Sequence, residues 1–262
     1  MSISTLSERI ALYAENSNIK LLPKLPVIIS LELRSANRLT SLLPKPFHLP
    51  FNEAMSKAMV RLIQEVDGAV FGFSFSDEIV LVLRNDQSRE TTPFYNNAAQ
   101  RIASVSSSIA TIEFAQSASS NDLQLLGDAV FVGSCFAVPN IGEAINAVIS
   151  FQNRAISKAI NQACLAALTT RYQIGEVLDT LARKSIQAKL DLLFEECGIR
   201  FEDYPEAFRR GVASYRIQKI IENDGVEVIR PKIILDGALP VFSSEPDFLR
   251  TILENGKDVL RR

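Results

Sequence analysis

Residues 70–83, VFGFSFSDEIVLVL, decide how this chain folds. Two apolar runs flank Ser76 and Asp77, both favoured in turns, so the pattern predicts a β-hairpin with arms at 68–74 and 78–83 and with Asp77 and Glu78 at its tip. Upstream, PVIISLEL (26–33) is β-branched and apolar enough for a buried strand. NEAMSKAMVRLIQEV (52–66) sets Ala54, Met55, Ala58, Met59, Leu62 and Val66 at helical spacing. Downstream, residues 93–115 read as a long helix and DAVFVGSCFAV (128–138) as a further strand. The order β-α-β-β-α-β is the ferredoxin-like one, an α+β fold with an antiparallel sheet and two helices on one face.

After Pro139 the pattern turns mostly helical. Residues 140–168 hold good helix formers throughout, with Asn140 as N-cap and Glu143 three residues on to complete a capping box. A second helix is predicted over 176–196, ending at Gly198 as the residue past the helix stop. Residues 200–216 read as a loop, 225–242 as a strand pair with a turn, and a short helix follows from about 246. The expected organisation is a palm-like domain over 1–139 and a mainly helical C-terminal domain over 140–262 packed on it.

Composition narrows the function classes. The 262 residues are 47% hydrophobic, enough for a sizeable core. The opening MSISTLSERIALYAEN carries Glu8, Arg9 and Glu15 where a signal peptide needs an apolar run, and nothing later approaches the ~20 apolar residues of a membrane span. A cytoplasmic protein is expected. Cys135, Cys164 and Cys197 are odd in number and far apart, which argues against a disulfide framework or a zinc site. A net charge of −2 gives no global basic excess. Locally, residues 151–189 hold six Lys or Arg (154, 158, 171, 183, 184, 189) against two acids, and 209–219 hold Arg209, Arg210, Arg216 and Lys219 with none. Such runs are either phosphate-facing patches or solvated helix faces.

In a ferredoxin-like sheet the end of the first strand lies beside the hairpin between the second and third. Glu32 and Asp77 are therefore expected to converge. Two carboxylates at one point suit Mg²⁺, a hard cation that shares oxygen ligands with substrate phosphates, as in a polymerase or nucleotide-cyclase palm. The same Ser-Asp pair is equally a polar hairpin turn with no ligand. His48, the only histidine, stands in KPFHLPF just before a helix, where a triphosphate contact, an acid role or a structural role all remain open.

The chain resembles the tRNA-histidine guanylyltransferase family and its guanylyltransferase-like relatives, which add nucleotides to RNA 5′ ends in the 3′-to-5′ direction. The resemblance is carried by ISLELRSANRLT (29–40), KPFHLPFNEAM (45–55), SDEIVLVL (76–83), FYNNAAQRIASVSSSIAT (94–111), FVGSCFAVPN (131–140), RFEDYPEAFRRGV (200–212) and ILDGALPVFSSEPDFLRTIL (234–253). It implies a nucleotidyltransferase with two Mg²⁺ ions held by Glu32, the carbonyl of Leu33 and Asp77, with Glu78 beside them in the catalytic group. It further implies a nucleoside triphosphate, GTP or ATP, bound with the help of Lys45, Arg101, Arg34 and Ser76. The implied partner is the 5′ end of tRNA, and the implied assembly a homo-tetramer, for which the Ala-rich helix 140–168 offers apolar surface. The alternatives are transfer to a free nucleotide or other small acceptor, and an RNA-binding relative without turnover.

The departures from that family are specific. Glu32 and Leu33 stand where the family has Asp and Gly, which lengthens a ligand and adds bulk. Asn37 replaces a family histidine, His48 and Pro50 stand for Asp and Arg, and Asn97 and Ala98 stand where basic residues are common. Val132 and Ser134 replace an Asp and an Arg. In the helix over 140–168 the family's Asp and Asn become Arg154 and Lys158, cations at i, i+4 on one helical face.

Overall fold

The computed structural model describes residues 5–16, 18–87, 90–120, 128–223, 226–255 and 260–261. Strands β1 (Val27–Leu33), β2 (Ala69–Phe75), β3 (Glu78–Leu83) and β4 (Phe131–Ala137) alternate with helices α3 (Leu49–Glu65) and α4 (Ala99–Ser120) in the β-α-β-β-α-β order read from the sequence. Short helices α1 (Leu6–Asn16) and α2 (Ala36–Thr40) flank β1. The strands lie in the order β4-β1-β3-β2, and every pairing among them is antiparallel.

The sheet does not stop there. Strands β5 (Val212–Asn223) and β6 (Val226–Asp236) form a hairpin, and β5 pairs antiparallel with β2, so the C-terminal stretch extends the same sheet. Residues 212–216, expected in a loop, are strand because Val212, Ala213, Tyr215 and Ile217 bury against the sheet's neighbours. The run of Arg residues around them hides that pattern in the sequence.

Both faces of the sheet are covered. Val27, Ile29, Leu31 and Leu33 of β1 join Ile79, Leu81 and Leu83 of β3 against α3 and α4. On the opposite face Ile28, Val80 and Val82 join Phe71, Phe73 and Phe75 of β2 against α5 (Ile141–Leu168) and α9 (Pro246–Asn255). An antiparallel strand with one wet face alternates apolar and polar residues, whereas EIVLVL is continuously apolar because each successive side chain meets a helix. The second helical layer is an addition to the two-helix arrangement expected.

Helix α5 joins two cores. Its first half packs Ala144, Ile145, Val148 and Ala155 on the sheet, and its second half packs Ala159, Ile160, Ala163, Cys164 and Leu168 against α6 (Ile174–Ala182) and α7 (Ile186–Cys197). Its apolar surface is thus used within the chain, which removes the sequence argument for a subunit contact there. The single helix expected over 176–196 is two, since Ser185 accepts from the amide of Ala188 and starts α7 anew. Asn140 caps α5 by accepting from the Glu143 amide, while the Glu143 carboxylate turns to Asn146, so only half of the capping box forms. Gly198 ends α7 with φ 68°, as its position past the helix predicts. Helix α8 (Glu206–Arg210) precedes β5, and a two-residue strand β7 (Leu260–Arg261) runs parallel to it. Cys164 is buried, Cys135 and Cys197 are partly so, and all three are free thiols. Burial pushes Cys164 up to about 11. Among the described residues, no helix is long and apolar enough to cross a membrane.

Gln152 fixes α5 over the sheet. Its side chain is fully buried; the amide donates to the Pro240 carbonyl at 2.9 Å, and its oxygen accepts from the Phe242 amide at 2.7 Å. Replacing it with Leu leaves those backbone groups buried without partners, so Gln152→Leu is expected to lose about 2–4 kcal/mol of stability in urea denaturation.

Candidate active site

The β2–β3 hairpin turns through two residues only, with Phe75 paired to Glu78 across it. Ser76 takes φ 50°, left-handed backbone that is uncommon for a residue with a Cβ. The Leu33 amide donates to the Asp77 carbonyl at 2.9 Å, and Glu32 is register-paired with Glu78. The convergence read from the sequence is therefore met in the backbone: Glu32, Asp77 and Glu78 gather at one end of the sheet.

Their side chains are not equivalent. Glu32 is exposed, whereas the side chains of Asp77 and Glu78 keep 13% of their surface open. Carboxylates so enclosed need counter-charge, and α5 supplies it. The Lys158 ammonium bonds the Asp77 carboxylate and stands 3.5 Å from that of Glu78, and the Arg154 guanidinium bonds Glu78. Aromatic rings brace both cations. Arg154 lies 4.8 Å from the Phe151 ring centre and 5.7 Å from that of Phe75, and Lys158 lies 5.9 Å from Phe75. Burial still pushes the Glu78 carboxyl above the ordinary range; Arg154 and Lys158 pull it down, and Asp77 and Glu32 push it up.

Two depressions flank the turn. One, with room for about 70 Å³, is lined by Lys45, His48, Ser76, Lys158 and Gln162 among others. The other, with room for about 390 Å³, is lined by Glu32, Leu33, Arg34, Asp77 and Val132 among others. The residues expected to bind nucleotide are thus divided. Lys45 and Ser76 share the first with Lys158, Arg34 shares the second with Glu32, and Arg101 sits exposed on α4 and lines neither. Lys45 donates to the Thr40 carbonyl at 2.8 Å, and partial burial pushes its ammonium below the usual lysine range. His48 caps α3, its Nδ1 accepting from the Phe51 amide at 3.3 Å, which gives the lone histidine a structural role at the rim of the cleft.

A magnesium centre built from Glu32, the Leu33 carbonyl and Asp77 does not fit this arrangement. The oxygen donors are of the right chemistry, but Asp77 is committed to an ammonium. Among the described residues no three His, Cys, Asp or Glu side chains converge to hold a metal ion. Sequence reasoning saw the spacing of Arg154 and Lys158 and offered them as either a phosphate-facing patch or a solvated helix face; it missed that their partners are the hairpin carboxylates.

Five of the other cations of those stretches are also engaged. Lys189 is buried and donates to Asn161 at 2.8 Å, and Arg171 bonds the Glu196 carbonyl. Arg209 and Arg210 donate to the Tyr204 and Leu239 carbonyls, and Arg216 to that of Ile63. Arg183 and Lys184 remain at the α6–α7 junction, and the Lys219 side chain lies outside the described residues.

With this geometry in hand, comparison with solved structures defines the fold. A bacterial tRNA(His) guanylyltransferase (Thg1)-like protein in complex with ATP superposes with a TM-score of 0.80 at 23% identity, over 95% of this chain and 99% of that one. A bacterial protein of the same description in complex with GTP gives 0.72 at 22% identity over 95% and 99%. The tRNA(His) guanylyltransferase of Saccharomyces cerevisiae gives 0.67 at 15% over 85% and 96%. The fold is that of these guanylyltransferase-like proteins. The family model described as Thg1, tRNAHis guanylyltransferase, matches residues 8–157. The chain belongs to this family, which is one of nucleotidyltransferases. No curated protein matches it significantly.

The unequal surroundings of the acids give a stability test. Asp77→Asn removes one of the two carboxylates that hold the partly exposed Lys158 ammonium, leaving Glu78 at 3.5 Å, and is expected to cost about 1–2 kcal/mol in urea denaturation, after allowance for solvent screening. Glu32→Gln, at an exposed position, is expected to stay within about 0.5 kcal/mol of the parent.

Proposed function

We propose that the protein binds a nucleoside triphosphate, ATP or GTP, beside the Ser76–Asp77–Glu78 turn and transfers its nucleotide to the 5′ end of tRNA, in the family's 3′-to-5′ sense. The observation that carries this reading is the cleft in which Lys45, Ser76 and Lys158 meet at the hairpin tip of a guanylyltransferase-type fold. The strand order β4-β1-β3-β2 supports a palm-type catalytic half over 1–139, and the C-terminal half supplies α5 and the added strands.

The chemistry of addition in that sense is attack of the incoming nucleotide's 3′-hydroxyl oxygen on the α-phosphorus of a 5′-triphosphate tRNA end, with formation of the new O–P bond, departure of pyrophosphate as the α–β bridge of that end breaks, and loss of the hydroxyl proton to solvent. Charge builds on the phosphoryl oxygens and the leaving group, and fixed cations aimed at it lower the barrier. Lys45 and Lys158 are the cations that line the cleft, with Ser76 and Gln162 as polar partners for phosphate oxygens. In this arrangement Asp77 and Glu78 act by holding Lys158 and Arg154 in place. Arg34 and Glu32 face the neighbouring depression, where an acceptor end would approach.

A second reading, a nucleotide- and RNA-binding relative without turnover, is favoured by one observation: the hairpin carboxylates are already neutralised by side chains. One experiment separates them. With triphosphate labelled at the α-position and tRNA as acceptor, the transferase reading predicts label in the tRNA 5′ nucleotide. Lys158→Met and Lys45→Met are each expected to lower the rate by about 10²-fold or more. Triphosphate binding with no label transferred to any tRNA would select the second reading, and label transferred only to a free nucleotide would move the acceptor to a small molecule.

A further inference from the structure

We infer that helix α5 carries the counter-ions of this site as side chains, and that the Lys158 ammonium excludes divalent cations from the hairpin carboxylates. The inference concerns the carboxylates alone and stands whether or not the chain transfers nucleotides.

The observations are independent of one another. Arg154 and Lys158 are one turn apart on α5 and reach two adjacent carboxylates from one side, a match of helix spacing to hairpin spacing. Each cation is also seated on an aromatic ring, Lys158 on Phe75 and Arg154 on Phe75 and Phe151. These contacts hold the cations near the turn even apart from the ion pairs. The helix is itself tied to residues 240 and 242 through buried Gln152. Glu32, Asp77 and Glu78 against Arg154 and Lys158 leave one net negative charge.

A divalent ion at Asp77 would meet the ammonium within the same coordination sphere. To bind, it would have to drive Lys158 off a carboxylate that is largely enclosed, at the cost of both ions' pairing. A bare pair of carboxylates carries no such toll, and the charge left by removing Lys158 attracts the metal directly. Lys158 is thus a resident cation in the position where a magnesium ion would otherwise sit, and Arg154 completes the neutralisation at Glu78.

The test titrates Mn²⁺ into the full chain without nucleotide and follows the free-ion resonance by electron paramagnetic resonance. The parent protein is expected to show no saturable binding in the micromolar range. Lys158→Gln is expected to bind Mn²⁺ about tenfold tighter or better, and adding Asp77→Asn to that variant is expected to abolish the gain. Saturable micromolar binding by the parent that Asp77→Asn removes would overturn the inference, and this arm holds even if Lys158→Gln fails to fold. A folded Lys158→Gln, checked by circular dichroism, that gains no Mn²⁺ would overturn it as well.

Discussion

Three carboxylates at one end of the largely apolar strands β1, β2 and β3 impose the constraint around which this molecule is arranged. Glu32, Asp77 and Glu78 are brought together by strand register, and the last two are largely enclosed. Enclosed charge is tolerated only with partners. The partners come from α5, whose apolar side covers the sheet and whose edge presents Arg154 and Lys158 to the turn. The long C-terminal helix is therefore both a roof on the core and the source of the site's positive charge. Gln152 and the C-terminal α9 keep that roof in position.

The placement of the cations reshapes what the family resemblance means for this chain. The guanylyltransferase-type fold brings the two strand ends into one place, and the chain fills that place with side-chain charge. Glu32 for Asp, Leu33 for Gly, Arg154 for Asp and Lys158 for Asn read singly as scattered substitutions. In the structure two of them pair with the hairpin and two line the depression beside it, so they form one local redesign of the charge at the turn. Val132 lines that same depression, where an acidic residue would have added to the negative charge.

Much of this was legible in the residues. VFGFSFSDEIVLVL specifies a tight hairpin, the β-α-β-β-α-β order follows from the alternation of periods, and Asn140 and Gly198 mark helix ends by their own chemistry. The break of α6 from α7 was not, because Arg183 and Lys184 are good helix formers and only the Ser185 cap interrupts them. Strand β5 was obscured by its Arg216 and by Arg209 and Arg210 just before it, all of which donate to backbone carbonyls. The pairing of α5 with the hairpin spans more than seventy residues, and sequence periodicity shows which side chains share a helix face but never what that face meets.

The central claim is that Lys158 and Asp77 are energetically coupled across that distance. A double-mutant cycle on unfolding free energy, with Lys158→Met, Asp77→Asn and the pair, measures the coupling directly. A favourable interaction of about 1 kcal/mol or more between the two positions is the result expected for a bonded, largely enclosed pair. Additive effects, with no coupling beyond about 0.3 kcal/mol, would contradict the account.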